Sequence, residues 1–214
     1  MNNIFPKIHK EGYKFLAIAI IATLVIWSFS NFFGYLSILI TIWVYFFFRD
    51  PERFSLENNK YLVSPADGLI TKIEESSGPI ELNMENKKFT KISIFMNVFN
   101  CHVNRSPLSS TVKDIIYKPG KFLNASLDKA SEENERNYYL LKTESGEEII
   151  VVQIAGLIAR RIITQVNKDQ TLTQGERIGM IRFGSRVDVF FNKKNTLAKI
   201  GQNVTAGESI LAED

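Results

Sequence analysis

From Phe15 to Phe48 the chain carries no Lys, Arg, His, Asp or Glu, whereas from Arg49 onward apolar and polar residues alternate over short distances. The first pattern suits lipid and the second a folded domain in water. The uncharged run exceeds one ordinary span of about 17–25 residues, and Ser28-Phe29-Ser30-Asn31-Phe32-Phe33-Gly34 breaks it near its middle with turn formers. Two short helices in a hairpin are predicted, each arm roughly 16 residues long. That length fits both a spanning hairpin and a re-entrant one that only dips into the bilayer. Lys7, Lys10 and Lys14 precede the run and Arg49 and Arg53 follow it, so the positive-inside rule places both ends in the cytoplasm. Trp27, Trp43 and Tyr45 suit an interfacial belt. A cleavable signal peptide is disfavoured, because no small-residue cleavage site ends a single short apolar core.

Past Lys60 the pattern turns to short strands. Lys91 to Val98 and Arg186 to Phe191 alternate with period two, and Glu148 to Ile154 is a β-branched run between Gly146 and Gly156. Turn signals separate them at Pro65-Ala66-Asp67-Gly68, Ser77-Gly78-Pro79, Lys118-Pro119-Gly120, Glu144-Ser145-Gly146 and Thr173-Gln174-Gly175. Asp128 to Asn137 is polar without an apolar stripe and fits a mobile lid or a solvated linker equally well. Leu197 to Ala212 resembles the G-x-x-V-x-x-G-x-x-(I/L) hairpin of lipoyl-type domains, without a carrier lysine in a matching exposed hairpin. The predicted fold class is mainly β (α+β): a β-rich barrel or sandwich with a lipoyl-like C-terminal hairpin. The predicted domains are a membrane-anchoring hairpin over residues 1–53 and a second domain over residues 54–214.

Composition narrows the chemistry. The single cysteine, Cys101, excludes an internal disulfide, and with only His9 and His102 in the chain a His-rich metal centre is excluded too, so no metal is expected. The net charge of +3 comes partly from the juxtamembrane Lys and Arg residues, which points to anionic lipid headgroups before nucleic acid.

Three features could carry a reaction. Ser64-Pro65-Ala66-Asp67-Gly68 sets a carboxylate in a turn, which turn geometry alone would also favour. Asn100 to Pro107 places His102, the one histidine of the soluble part, just past a buried-looking strand. Arg182-Phe183-Gly184-Ser185-Arg186 reads as a strand with a kink, where Gly184 either supplies a bulge or presents an unguarded carbonyl to the adjacent hydroxyl. Asp, His and Ser together suggest a hydrolase triad, but the G-x-S-x-G frame of a nucleophile elbow is absent.

Six ordered blocks resemble the phosphatidylserine decarboxylase family, in its short bacterial and archaeal-like branch, across essentially the whole chain. They are Phe47 to Arg53, Ser64 to Gly68, Phe95 to Pro107, Tyr117 to Asn137, Val152 to Ile162 and Gly175 to Asp188. The resemblance implies a pyruvoyl enzyme made by self-processing. Ser185 Oγ would attack the Gly184 carbonyl to give an ester, elimination would release the upstream chain, and hydrolysis would leave a pyruvoyl group. The cut would yield a β chain, residues 1–184, and an α chain, residues 185–214, held as a heterodimer, with further homo-oligomerisation left open.

The substrate would be phosphatidylserine in the cell (inner) membrane, reached by a domain facing the cytoplasm. Its amine would form a Schiff base with the pyruvoyl carbonyl, and loss of carbon dioxide would give phosphatidylethanolamine. On this reading His102 donates the proton, Asp67 serves self-processing as a base or as the group that orients one, and Arg105, Arg136 and Arg186 are candidate partners of the lipid phosphate. Longer bacterial members carry a second histidine in the H-x-x-H-x-P block where this chain has Arg105, so the histidine-assisted processing scheme does not transfer whole. A membrane-anchored lipoyl-like adaptor without catalysis is the alternative, although the chain has no long heptad repeat. A zinc peptidase would need histidines that are not there.

Overall fold

The computed structural model describes residues 5–121, 133–156, 161–182, 185–193 and 195–214. It divides into two compact units, Met1–Glu52 and Arg53–Asp214.

The first unit is a helical hairpin, α1 (Gly12–Phe29) and α2 (Asn31–Phe47), with Ser30 alone in extended backbone between them. Large apolar side chains including Ile18, Leu24, Phe29, Phe33, Leu36 and Leu39 are exposed, so this is no core of its own. What holds the two helices is a polar seam: Thr23 Oγ1 and Thr41 Oγ1 share a hydrogen bond of 2.8 Å, and Thr41 Oγ1 also donates to Ala19 O at 3.3 Å. Small hydroxyl residues serve this purpose where lipid offers the backbone no partners. Gly34 permits the closest approach, since a Cβ there would sit 3.0 Å from the Trp27 ring. The ends are clipped together by His9 N–H donating to Phe48 O at 2.8 Å and Asp50 N–H to Lys7 O at 2.7 Å. The helices run to 18 and 17 residues, and α1 is long and apolar enough to cross a membrane.

The second unit contains β1 (Tyr61–Val63), β2 (Gly68–Ser77), β3 (Lys88–Met96), β4 (Val103–Arg105), β5 (Ser110–Lys118), β6 (Arg136–Lys142) and β7 (Glu148–Ala155). It continues with β8 (Arg161–Thr164), β9 (Thr171–Leu172), β10 (Arg177–Arg182), β11 (Ser185–Phe191), β12 (Asn195–Thr196), β13 (Asn203–Val204) and β14 (Ile210–Glu213). Eight strands form one curled half-barrel sheet in the order β13-β2-β3-β11-β7-β6-β5-β9. Two three-stranded sheets, β1-β14-β12 and β4-β10-β8, complete the fold.

Successive side chains on a strand face opposite sides, and the register makes the two faces explicit. Met96, Ser185 and Ala155 lie side by side on β3, β11 and β7, while the next row holds Phe95, Arg186, Ile154 and Arg136. The inner face carries the main core, with Ile70, Ile94, Leu141, Val151, Val187 and Val189 fully buried. The outer face carries a second cluster of Phe89, Tyr138, Ile150, Val152, Ile154 and Phe190. The alternation in β11 predicts a strand with one wet face, yet all seven of its residues are buried, because the second cluster covers the other side.

Three local expectations meet a different arrangement. The Arg182–Phe191 segment is not one kinked strand: β10 ends at Arg182 in a small sheet and β11 begins at Ser185 in the large one. Gly184 lies outside the described residues. Within the polar stretch 128–137, Arg136 and Asn137 open β6, Asn134 Nδ2 donates to Ala155 O at 2.7 Å, and 128–132 fall outside the description. In the lipoyl-like segment Gly201 (φ +84°) and Gly207 (φ +76°) make the tight turns, and β12 pairs with β14 as a hairpin would, but β13 between them crosses to join β2 in the large sheet.

Candidate functional site

Ser185 heads the central strand of the large sheet and is 0% exposed. Its inner-face neighbours are a methyl group on Ala155 and the thioether of Met96, whose Sδ accepts from Ser185 Oγ at 3.4 Å. Neither neighbour is charged, and neither carries an amine, thiol or hydroxyl that would add to a carbonyl. A thioether is a weak acceptor, so the hydroxyl is directed but not strongly tied.

His102 precedes β4, which pairs with β10, and its backbone carbonyl accepts from Ile181 N–H at 3.3 Å, four residues before Ser185. Its ring is fully buried, with Nδ1 2.9 Å from Asn100 O. A carbonyl oxygen can only accept, so Nδ1 carries the proton and Nε2 is the nitrogen left to gain or lose one. The turn that supplies that carbonyl is stiff: Asn97 N–H donates to Asn100 Oδ1 at 2.9 Å and Phe99 N–H to Asn97 Oδ1 at 2.8 Å.

Asp67 stands at the end of the Ser64–Gly68 turn, where Ser64 Oγ donates to Ala66 O at 2.7 Å. Gly68 is required next, because a Cβ would fall 2.3 Å from Phe95 O on the neighbouring strand. The Asp67 carboxylate accepts from Arg53 Nη2 at 2.9 Å and from Ala206 N–H at 2.8 Å. Arg53, counted in the sequence as a charge flanking the hairpin, is thus an ion-pair partner inside the second unit. The turn abuts β4 through Arg105 N–H, which donates to Pro65 O at 2.9 Å.

The three arginines fall in different places. Arg105 is buried on the strand that follows His102, and its Nη1 donates to Gly175 O at 2.8 Å. Arg136 and Arg186 share the outer face, turned away from Ser185 by the alternation of the strands. There Arg186 Nη2 is 3.0 Å from Asp188 Oδ2, and Arg136 Nη2 is 3.7 Å from Glu81 Oε1, beside a cavity of about 260 Å³. Burial would raise Glu81, but the Lys118 ammonium at 2.7 Å holds its carboxyl below the ordinary value. The register therefore separates Arg136 and Arg186, on the outer face, from Ser185 on the inner one.

Residues absent from the sequence reading join the site from behind. Asn104, Gln153 and Tyr139 form a buried chain: Gln153 Nε2 donates to Asn104 Oδ1 at 2.8 Å, and Tyr139 Oη to Gln153 Oε1 at 2.9 Å. The signal in the sequence is Gln153 itself, the one polar residue in Ile149-Ile150-Val151-Val152-Gln153-Ile154. Among the described residues no group of three or more His, Cys, Asp or Glu side chains could hold a metal ion.

Comparison with known proteins gives a consistent result. A family model described as phosphatidylserine decarboxylase matches residues 40–212. The chain is 62% identical over 213 residues to a phosphatidylserine decarboxylase proenzyme of Pelagibacter ubique (strain HTCC1062), covering 100% of this chain and 99% of the relative. It is 47% identical to the proenzyme of the same name from Cereibacter sphaeroides (strain ATCC 17025 / ATH 2.4.3), covering 100% of this chain and 92% of the relative. A third proenzyme of that name, from Rickettsia typhi (strain ATCC VR-144 / Wilmington), is 46% identical, with 99% and 92% covered.

Proposed function

The chain belongs to the phosphatidylserine decarboxylase family, and from that premise we propose a membrane-anchored, self-processing enzyme that converts phosphatidylserine to phosphatidylethanolamine and carbon dioxide. The observation that carries the reading is Ser185, fully buried at the head of the central strand within a chain that matches named proenzymes end to end.

Self-processing begins when Ser185 Oγ attacks the Gly184 carbonyl carbon. The hydroxyl proton leaves to a base, the peptide C–N bond breaks, and its nitrogen takes up a proton, giving an ester. Removal of the residue-185 α-proton then expels the upstream carboxylate, and water hydrolyses the resulting dehydroalanine with loss of ammonia. We assign the base to His102, the one histidine of this domain, whose Nδ1 lies 2.9 Å from Asn100 O, so that Nε2 is the nitrogen that would take the proton. Both Asp67 oxygens are engaged by Arg53 or Ala206, which favours an orienting part for Asp67 in this first reaction.

The residues around Ser185 fit a covalent carbonyl: a thioether and a methyl group flank it, neither of which would consume an electrophile. The pyruvoyl group derived from Ser185 supplies an electron sink for the substrate amine. His102 holds the proton that replaces carbon dioxide on the substrate carbon, and the Nδ1 hydrogen bond to Asn100 O fixes the orientation of the ring. Burial at 0% exposure keeps bulk water from competing as the proton source. Of the three arginines, Arg105 is the one retained as headgroup partner, since it alone lies on the strand that follows His102. The hairpin anchors the enzyme in the cell membrane with this domain on the cytoplasmic side.

Denaturing mass spectrometry tests the reading. Two fragments are expected, the smaller starting at position 185 with a blocked N-terminus, and Ser185→Ala should remain full length and inactive. A wild-type chain that stays intact in a membrane-mimetic buffer would sink it.

A further inference from the structure

We infer that Asn104 is the positioning residue of this site, one buried amide that sets Ser185 Oγ and the Asp67 turn relative to each other. The inference rests on the self-processing reading above and adds a residue that neither the Ser64–Gly68 turn nor the Gly184-Ser185 pair contains.

Both N–H groups and the carbonyl oxygen of the Asn104 amide are engaged. Nδ2 approaches Pro65 O at 3.5 Å and Met96 Sδ at 3.7 Å, while Oδ1 accepts from Gln153 Nε2 at 2.8 Å. Pro65 lies two residues before Asp67, and Met96 Sδ is the atom that accepts from Ser185 Oγ at 3.4 Å. His102 is two residues upstream of Asn104 in the chain. The amide thus touches the supports of the nucleophile and of the carboxylate, on the segment that also supplies the imidazole.

The amide is itself oriented from behind. Gln153 Oε1 is held by Tyr139 Oη at 2.9 Å, and burial pushes the Tyr139 phenol well above its ordinary value, so it stays protonated and donates. Gly179 faces Asn104 across the β10–β4 pair, and a Cβ there would lie 2.8 Å from Tyr139 Oη and 3.1 Å from Gln153 Nε2. The missing side chain leaves the space the three polar groups occupy. Such a network could serve fold specificity alone; what separates this one is that it ends on the sulfur next to the reacting hydroxyl.

The positioning role and a structural one differ in a measurable way. Asn104→Leu leaves Gln153 Nε2 and Pro65 O without the amide, which costs stability whatever the role. Asn104→Leu combined with Gln153→Leu removes both sides of that hydrogen bond and should recover part of the lost Tm. Each full-length precursor is made by cell-free translation with anionic vesicles, and appearance of the fragment starting at 185 is followed by mass spectrometry. Both variants, and the volume-conserving Met96→Leu, are expected to process at least tenfold more slowly than wild type while folded by circular dichroism.

Hydroxylamine, which cleaves esters and spares amides, supplies the second readout. With the nucleophile misplaced no ester forms, so hydroxylamine should not restore cleavage in Asn104→Leu. Processing at the wild-type rate in Met96→Leu, or in a folded double variant, would overturn the proposal, and so would full rescue by hydroxylamine. A wild-type precursor that never cleaves would instead count against the self-processing reading itself.

Discussion

The proposed part of His102 depends on one carbonyl. Asn100 O fixes the proton on Nδ1, and the same Asn100 side chain closes the turn before it, so tautomer and ring position are set together. If His102 is the base of the proposed self-processing, His102→Ala is expected to remain essentially uncut, with processing slowed by about 100-fold or more on the usual scale of general-base contributions. Denaturing mass spectrometry of the variant reads this directly; cleavage at the wild-type rate would confine His102 to decarboxylation. At this scale the residues that the proposal uses were legible: an isolated Ser after Gly, a single domain histidine and an Asp in a turn. Asn104, Met96 and Arg53 were not, because nothing in their local sequence says which distant group they meet. Nor was the face on which Arg136 and Arg186 lie, since a guanidinium one position along a strand from Ser185 faces the opposite side of the sheet.

Strand existence followed from alternation, and the turn signals at Gly146 and Gly175 fall where the backbone takes φ of +90° and +81°. Sheet membership did not follow. That β10 and β11 belong to different sheets depends on pairing with β4, β8, β3 and β7, which are brought up from far along the chain. Neighbouring positions on β6, Tyr138 and Tyr139, serve the outer and inner clusters, and burial raises both phenols above the ordinary 10.0. The folded state therefore holds these protons more tightly than the unfolded chain. Their stabilising contribution is complete below about pH 10 and is lost as pH rises from there through the folded values. An alkaline titration followed by tyrosinate absorbance should show two phenols that ionise only as the circular dichroism signal of the sheet collapses; their ionisation in an intact sheet would contradict it.

Across the whole molecule, the division into an apolar hairpin and a β domain was legible from charge distribution alone, since a run from Phe15 to Phe48 without a charge has few other uses. The interleaving of the C-terminal strands was not. A cut before Ser185 would put β11, β12, β13 and β14 on the small chain, and each pairs with a strand of the large chain or, for β12, with β14. The two fragments are expected to co-elute in native size-exclusion chromatography in detergent and to separate only in denaturant. Early release of the small fragment would contradict that. The middle position of β11 carries a consequence for supply. A chain that completes its neighbours' sheet from within cannot be swapped between molecules, so a defective copy could not be rescued by small chains made elsewhere, and the amount of working enzyme would be set once, at the birth of each precursor.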